Sequence, residues 1–315
     1  MFTYDQVKNK PKLLLAMTGL VRTEFEELLI PFHVAWEAYV EAHSLPEQDR
    51  QRRTGAGRKP ALCTTADKLL FILFYVKTYP LQEIIAFSFG MSQGQACYWI
   101  HVLSDVLRQT LVSLEQLPER NPAQLGANLT ENGETLLGID GTERRIQRPK
   151  DNLEQQTYYS GKKRAHTVKN DVVVNLVSRQ VKYLSGTYEG KKHDKKICDE
   201  EEPTFPEGST LYKDTGFQGY EPSGVNTMQP KKKPRGQDLS PEDRQRNSEI
   251  SKVRIVVEHV ISGIKRCRIV KDVFRNTKDG FDDVVMEIAC GLHNFRTACR
   301  SKPEAADPYF AVPQN

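Results

Sequence analysis

Apolar positions recur at helical spacing near the start of the chain, where Leu14, Leu15, Met17, Leu20, Phe25, Leu28 and Leu29 predict one or two helices within residues 11–45, with Pro31 breaking or starting one. From Pro46 to Pro60 the pattern stops and the composition turns to Gln, Arg, Gly and Pro, which reads as an exposed basic linker. A compact helical set follows: Thr65–Tyr79, then Leu81–Phe89 after Pro80, a turn at Gly90, and a third helix from an N-capping Ser92 to about Leu114. Past Pro118–Gly133 the period changes. β-type runs appear at Thr135–Ile139, Val172–Val177, Val181–Thr187 and Ser209–Lys213, and helices are expected near Ser248–Ile269 and Phe281–Arg300. Between the last strand and the next helix, Gly219–Asp243 reads as a long loop rich in Pro, Gly and Lys.

This order predicts an all-helical N-terminal region followed by an α/β domain with a mixed sheet. Its expected boundaries are 1–60 for the opening helices and linker, 61–120 for the compact helical set, 134–300 for the α/β domain and 301–315 for a tail. Two short helices joined by a tight turn, the second carrying Gln93, Gln95, Tyr98, Trp99 and His101, match the helix-turn-helix layout, in which polar and aromatic side chains meet base edges. An ordinary three-helix bundle with Trp99 and Val102 in its core remains open.

Composition narrows the class. Of the 315 residues, 38% are hydrophobic and 27% charged, a balance that describes an ordered globular chain. The longest apolar run, Leu69–Val76, is far shorter than the roughly 20 residues that cross a bilayer. The N-terminus lacks the basic and apolar regions of a secretory signal, so the chain is expected in the cytoplasm. Six scattered cysteines do not form a disulfide framework, and Cys290, His293 and Cys299 lack an evident fourth zinc ligand. The net charge is only +4, but positive residues gather at Arg50–Lys59, Arg144–Lys169 and Lys231–Arg235. Such clusters suit several contacts with a polyanion, although each on its own is also what a solvated loop looks like.

Three carboxylates stand out by placement. Asp140 closes the apolar run from Leu136 and Asp214 closes Leu211–Lys213, each read as the C-terminal end of a strand with glycine close behind. Ligands gather beyond strand ends in open sheets, and glycine lets a bulky group approach. Glu258 lies in a helical segment in which Val253, Val256, Val257, Val260, Ile261 and Ile264 make a buried stripe. Arg254, Glu258 and Lys265 fall on one flank of it, within about 40° of one another at about 100° per residue. Mg²⁺ prefers oxygen ligands and takes few carboxylates, and paired ions suit phosphodiester chemistry, with Arg254 and Lys265 neutralising phosphate. Taken singly, each Asp also reads as a turn or cap residue and Glu258 as an ion-pair partner of Arg254.

Together, Asp140-Gly141-Thr142, Tyr212-Lys213-Asp214-Thr215-Gly216-Phe217 and Arg254-x3-Glu258-x6-Lys265 resemble the DDE signature of insertion-sequence transposases, most closely the insertion-sequence five group, over roughly residues 60–300. The resemblance implies a ribonuclease-H-like catalytic domain and a metal-binding triad of Asp140, Asp214 and Glu258. It implies a divalent cofactor, Mg²⁺ with Mn²⁺ as substitute. It also implies cleavage at transposon ends followed by strand transfer, double-stranded DNA as partner, and a homo-oligomer on paired ends. Arg144, Arg145, Arg148, Lys162, Lys163 and Arg164, after the first acidic strand, are expected to hold the DNA backbone. The family also suggests His193-Asp194 near the site, with Asp194 as a reserve ligand. Ser251 stands where the family has a Tyr. The competing readings are a helix-turn-helix regulator derived from a transposase and a ribonuclease-H-type nuclease without strand transfer.

Overall fold

The computed structural model describes residues 2–43, 60–234, 236 and 238–301. The basic linker and its Arg50–Lys59 cluster, Arg235 at the end of the third cluster, and the tail beyond 301 lie outside the described residues, apart from the linker's Pro60. The chain divides into two compact units, residues 1–116 with Arg266–Ile269, and residues 117–265 with 270–315.

The first unit is helical: α1 (Tyr4–Val7), α2 (Pro11–Thr18), α3 (Arg22–His43), α4 (Thr65–Thr78), α5 (Gln82–Phe89) and α6 (Gln93–Ser113). The helices on both sides of residue 60 belong to this one body rather than to separate parts. Local chemistry sets their ends. Thr64 caps α4 by accepting from the amide of Asp67, whose Oδ1 accepts from the Tyr4 amide at 2.8 Å and so ties α1 to the start of α4. Gly90 ends α5 in the left-handed region, φ 68°, where a Cβ is costly, and Ser92 caps α6. Phe25, Leu28, Phe32, Leu69–Leu73, Phe89, Ile100, Leu103 and Leu107 fill the interior. Pro31 lies inside α3, so the break expected there is absent. A proline costs one backbone hydrogen bond and crowds the previous turn, and here a 22-residue helix packed on α4 and α6 tolerates it.

The second unit runs α7 (Pro122–Glu131), β1 (Leu136–Arg145), α8 (Asn152–Tyr158), β2 (Tyr159–Ser160), β3 (Ala165–Asn175), β4 (Val181–Leu184), β5 (Tyr188–Glu189), α9 (Asp194–Glu201), β6 (Thr210–Lys213), β7 (Asn226–Met228), α10 (Pro241–Ile264) and α11 (Phe281–Ser301). One mixed sheet has the order β2-β3-β1-β6-β7, with β4 and β5 also paired to β3. β1 runs antiparallel to β3 from Leu137 opposite Asn175 to Arg145 opposite Thr167, and parallel to β6, which is parallel to β7. This is the α/β mixed sheet that the pattern predicted.

Alternation along β1 divides the layers. Leu137 and Ile139 enter a core with Val173, Leu211, Phe217, Cys198 of α9 and Leu125 and Leu129 of α7. Gly138 faces the other way, toward Val257 of α10. Beyond α10 lies α11, whose Asn294 side chain accepts from the Val181 amide and donates to the Val181 carbonyl, stitching the helix to β4.

Several expected bounds move. β1 continues five residues beyond Asp140, because β3 pairs with it throughout, so Asp140 is inside a strand rather than at its end. α10 starts at Pro241 under a Ser240 cap, and the Gly219–Asp243 segment contains β7. α7 occupies part of Pro118–Gly133, where no element was assigned: Asn121 caps it by accepting from the Ala123 amide, and Pro122 is its first residue.

Candidate active site

Parallel pairing of β1 and β6 brings the first two acids together. Ile139 is opposite Lys213, so Asp140 within β1 and Asp214 just past the end of β6 follow side by side, both reaching Arg254 of α10. Asp140 Oδ1 accepts from the Gly141 amide at 2.8 Å, and Asp214 Oδ1 accepts from the Thr215 amide at 2.7 Å, capping the short turn Thr215–Phe217. Each acid keeps an oxygen facing the helix.

α10 delivers the matching charge. Arg254 Nη1 lies 3.3 Å from Asp214 Oδ1 and Nη2 3.8 Å from Asp140 Oδ2, so one guanidinium spans the pair. The pairing with Glu258 that its i,i+4 spacing allowed is not what Arg254 serves. Glu258 stands exposed one turn further along α10 on the flank that Arg254 occupies. Lys265 caps the C-terminus of α10, and burial with the nearby Lys163 charge lowers its pKa against the pull of Glu143 and Asp140.

Burial pushes the Asp140 carboxyl up to about 6, opposed by Arg254 and the Gly141 amide and reinforced by Asp214 and Asp194. A single guanidinium therefore leaves uncompensated negative charge at the pair. An all-oxygen donor set with excess negative charge fits a hard divalent cation. Among the described residues, no three His, Cys, Asp or Glu side chains converge tightly enough to complete a metal site by themselves, so the fit rests on Asp140 and Asp214, and the structure does not bring the exposed Glu258 into their cluster.

Two family comparisons agree with this arrangement. Residues 139–294 match the DDE superfamily endonuclease family, and residues 60–113 match the helix-turn-helix of DDE superfamily endonuclease. A probable transposase for insertion sequence element IS702 from Microchaete diplosiphon is 28% identical over 257 residues, 80% of this chain and 88% of the relative. The chain belongs to the DDE-type insertion-sequence transposases. Its sheet and flanking helices are the ribonuclease-H-like DDE domain of that family, and its helical unit carries the helix-turn-helix. DDE endonucleases use divalent metals. No solved structure matches.

The transposase's expected DNA-contacting residues fall in different settings. Arg145, Arg148, Lys162, Lys163 and Arg164 are exposed, the last three in the turn between β2 and β3. Arg144 is not on the surface: it is 2% exposed, and its guanidinium donates to the Asp282 carbonyl, Asn170 Oδ1 at 2.8 Å and Thr187 Oγ1 at 3.1 Å. Strand alternation explains the correction, since Arg144 shares the inward parity of Thr142 while Arg145 points out. On α6, Gln95 Oε1 accepts from the Ser92 amide at 3.0 Å in a capping box, and Gln93 donates to Gln82. Trp99 is half-buried, 5.8 Å from the Trp36 ring of α3, whereas Tyr98 is 57% exposed.

Sequence reading missed the buried charges around the acids. Lys213 is fully buried, its ammonium held by the Tyr220 carbonyl and by Glu221 at 2.7 Å. Lys169 and Asp171 line β3 beside Glu143 and Gly141. Their β-type neighbours alone could have suggested burial. No helix among the described residues is long and apolar enough to cross a membrane.

Proposed function

We propose that this transposase cuts phosphodiester bonds at the ends of its element and joins the freed 3′-hydroxyl to target DNA. The observation that carries the reading is the Asp140–Arg254–Asp214 arrangement, one acid within β1 and one just past the end of neighbouring β6, under one guanidinium. Bound divalent cations, Mg²⁺ by preference with Mn²⁺ as substitute, supply Lewis-acid activation of the attacking oxygen and stabilisation of the leaving one. Asp140 and Asp214 hold them, with Glu258 as the third acid. Arg254 and Lys265 offset phosphate charge, Arg254 at the acids and Lys265 at the end of α10. Arg145, Arg148, Lys162, Lys163 and Arg164 hold the DNA backbone, and the exposed Tyr98 and Gln93 of α6 reach base edges. Two element ends are handled together, so the working form is a homo-oligomer on paired DNA.

The test is cleavage and joining of a plasmid carrying the element's own ends, with Mg²⁺ or Mn²⁺, for the unmodified chain and Glu258→Gln. Metal-dependent nicking and joining, both absent in Glu258→Gln, is the expected result. Nicking without joining would make the chain a nuclease, and tight end binding without cleavage would make it a regulator.

A further inference from the structure

Asp194 opens α9 on the sheet face away from α10, and its carboxylate fills the space beside the glycines that follow both acids. A Cβ on Gly141 would stand 2.7 Å from Asp194 Oδ1 and 3.0 Å from its Cγ, and a Cβ on Gly216 would stand 2.9 Å from Oδ2. One short side chain is thus wedged between the two backbones that carry Asp140 and Asp214, one oxygen against each.

The wedge is pinned. Lys169 Nζ lies 2.9 Å from Asp194 Oδ1, donates to the Lys192 carbonyl at 2.8 Å and lies 4.0 Å from Glu143. Behind it, Asp171 is 1% exposed, and its Oδ1 has no hydrogen-bond partner and lies 3.2 Å from the same point over Gly141. Asp194 Oδ1 likewise accepts no hydrogen bond, so two carboxylate oxygens are held against Gly141 by packing and by the Lys169 charge. Asp140 points to the α10 face, so Asp194 does not share its open oxygen side.

We propose that Asp194 is a positioning residue: a spacer, locked by Lys169, that sets the separation of Asp140 and Asp214 from behind the sheet, without itself ligating metal. The proposal rests on the reading of those two aspartates as the metal-holding pair.

The experiment measures Mn²⁺ affinity of the full chain by the paramagnetic resonance signal of free Mn²⁺, beside DNA-end binding, for Asp194→Ala, Gly216→Ala, the double variant and Asp140→Asn. Supporting partners of metal ligands are worth roughly 10–100-fold in affinity, so Asp194→Ala and Gly216→Ala are each expected to weaken Mn²⁺ binding by about that factor while end binding holds. The decisive result is coupling: in the Asp194→Ala background the methyl added by Gly216→Ala has nothing to strike, so it costs nothing further. Equal Gly216→Ala losses in both backgrounds, or unchanged Mn²⁺ affinity in Asp194→Ala, would overturn the proposal. Loss of a whole bound equivalent in Asp194→Ala, as in Asp140→Asn, would make Asp194 a ligand and overturn it too. If Asp140→Asn binds Mn²⁺ as the unmodified chain does, the metal reading itself fails and the spacer role falls with it. Should Asp194→Ala not fold, Asp194→Asn replaces it, with loss of the Lys169 ion pair expected to weaken Mn²⁺ binding and unchanged affinity counting against the proposal.

Discussion

Val257 of α10 sits so close to Gly138 of β1 that a Cβ on the glycine would stand 2.5 Å from Val257 Cγ2, and 3.0 Å from Leu176 Cδ2. The helix approaches the strand as closely as a missing side chain permits, which brings Arg254, one turn earlier, over the acids. Gly138→Ala is therefore expected to lift α10, costing about 1–3 kcal/mol as overpacking does. Urea denaturation measures the cost, and the cleavage rate should fall with it.

Asp140 gives a pH signature. Its folded pKa of about 6 exceeds the ordinary 3.8, so the folded state holds this proton more tightly than the unfolded chain. In metal-free protein the favourable contribution is complete below about pH 4 and is lost as pH rises through 6, a swing of up to about 3 kcal/mol. Asp140→Asn should accordingly be more stable than the unmodified chain in EDTA at pH 8, with the gap closing toward pH 4. Urea midpoints at the two pH values check this, and equal midpoints throughout would refute it.

Arg254 touches two acids through different nitrogens, a geometry that an ammonium cannot copy. Arg254→Lys and Arg254→Gln should both slow end cleavage, by on the order of 10²-fold for Gln, as for loss of a charge-stabilising donor. Removing the guanidinium should also raise the Asp140 carboxyl further, moving the acid limb of the pH-rate profile upward for Gln more than for Lys.

The basic residues after Asp140 separate into two classes by one assay. Lys163→Ala should lower the slope of DNA affinity against salt by about one ion, because an exposed phosphate contact is lost. Arg144→Ala should leave that slope unchanged and instead destabilise the fold by about 1–3 kcal/mol, because the Asp282 carbonyl, Asn170 and Thr187 lose a buried donor. A lowered salt slope in Arg144→Ala would show that its guanidinium reaches DNA.

What the sequence revealed follows from which residues carry a periodic signal. α4 to α6 were legible because Thr65–Thr78 is nearly continuous apolar helix and because Gly90 and Ser92 are turn and cap chemistry. Asp140, Asp214 and Arg254 were legible by spacing, and the structure brings these three together. The second half of β1 was hidden because Gly141-Thr142-Glu143-Arg144-Arg145 lacks apolar alternation, its partners being the equally polar Thr167–Asp171 of β3. Charged residues read as surface, and the burial of Arg144 and Lys169 depends on distant partners such as Asp282 and Asp194 that no local window contains. No element was expected at Asn121-Pro122, although the same pair starts a helix well.

The unequal settings of the two aspartates divide the work of adaptation between them. Asp140 lies inside β1, opposite Val172 of β3 and one residue past the last pair with β6, whereas Asp214 has already left β6 and begins a turn. Its side chain caps Thr215 and its carbonyl accepts from Gln229. The first acid is the fixed jaw of the site and the second the adjustable one. Under the proposed cleavage and joining, the distance between the reacting oxygens would change as the scissile phosphate gives way to a free hydroxyl and then to a target strand, and the compliance to follow it would lie at Asp214.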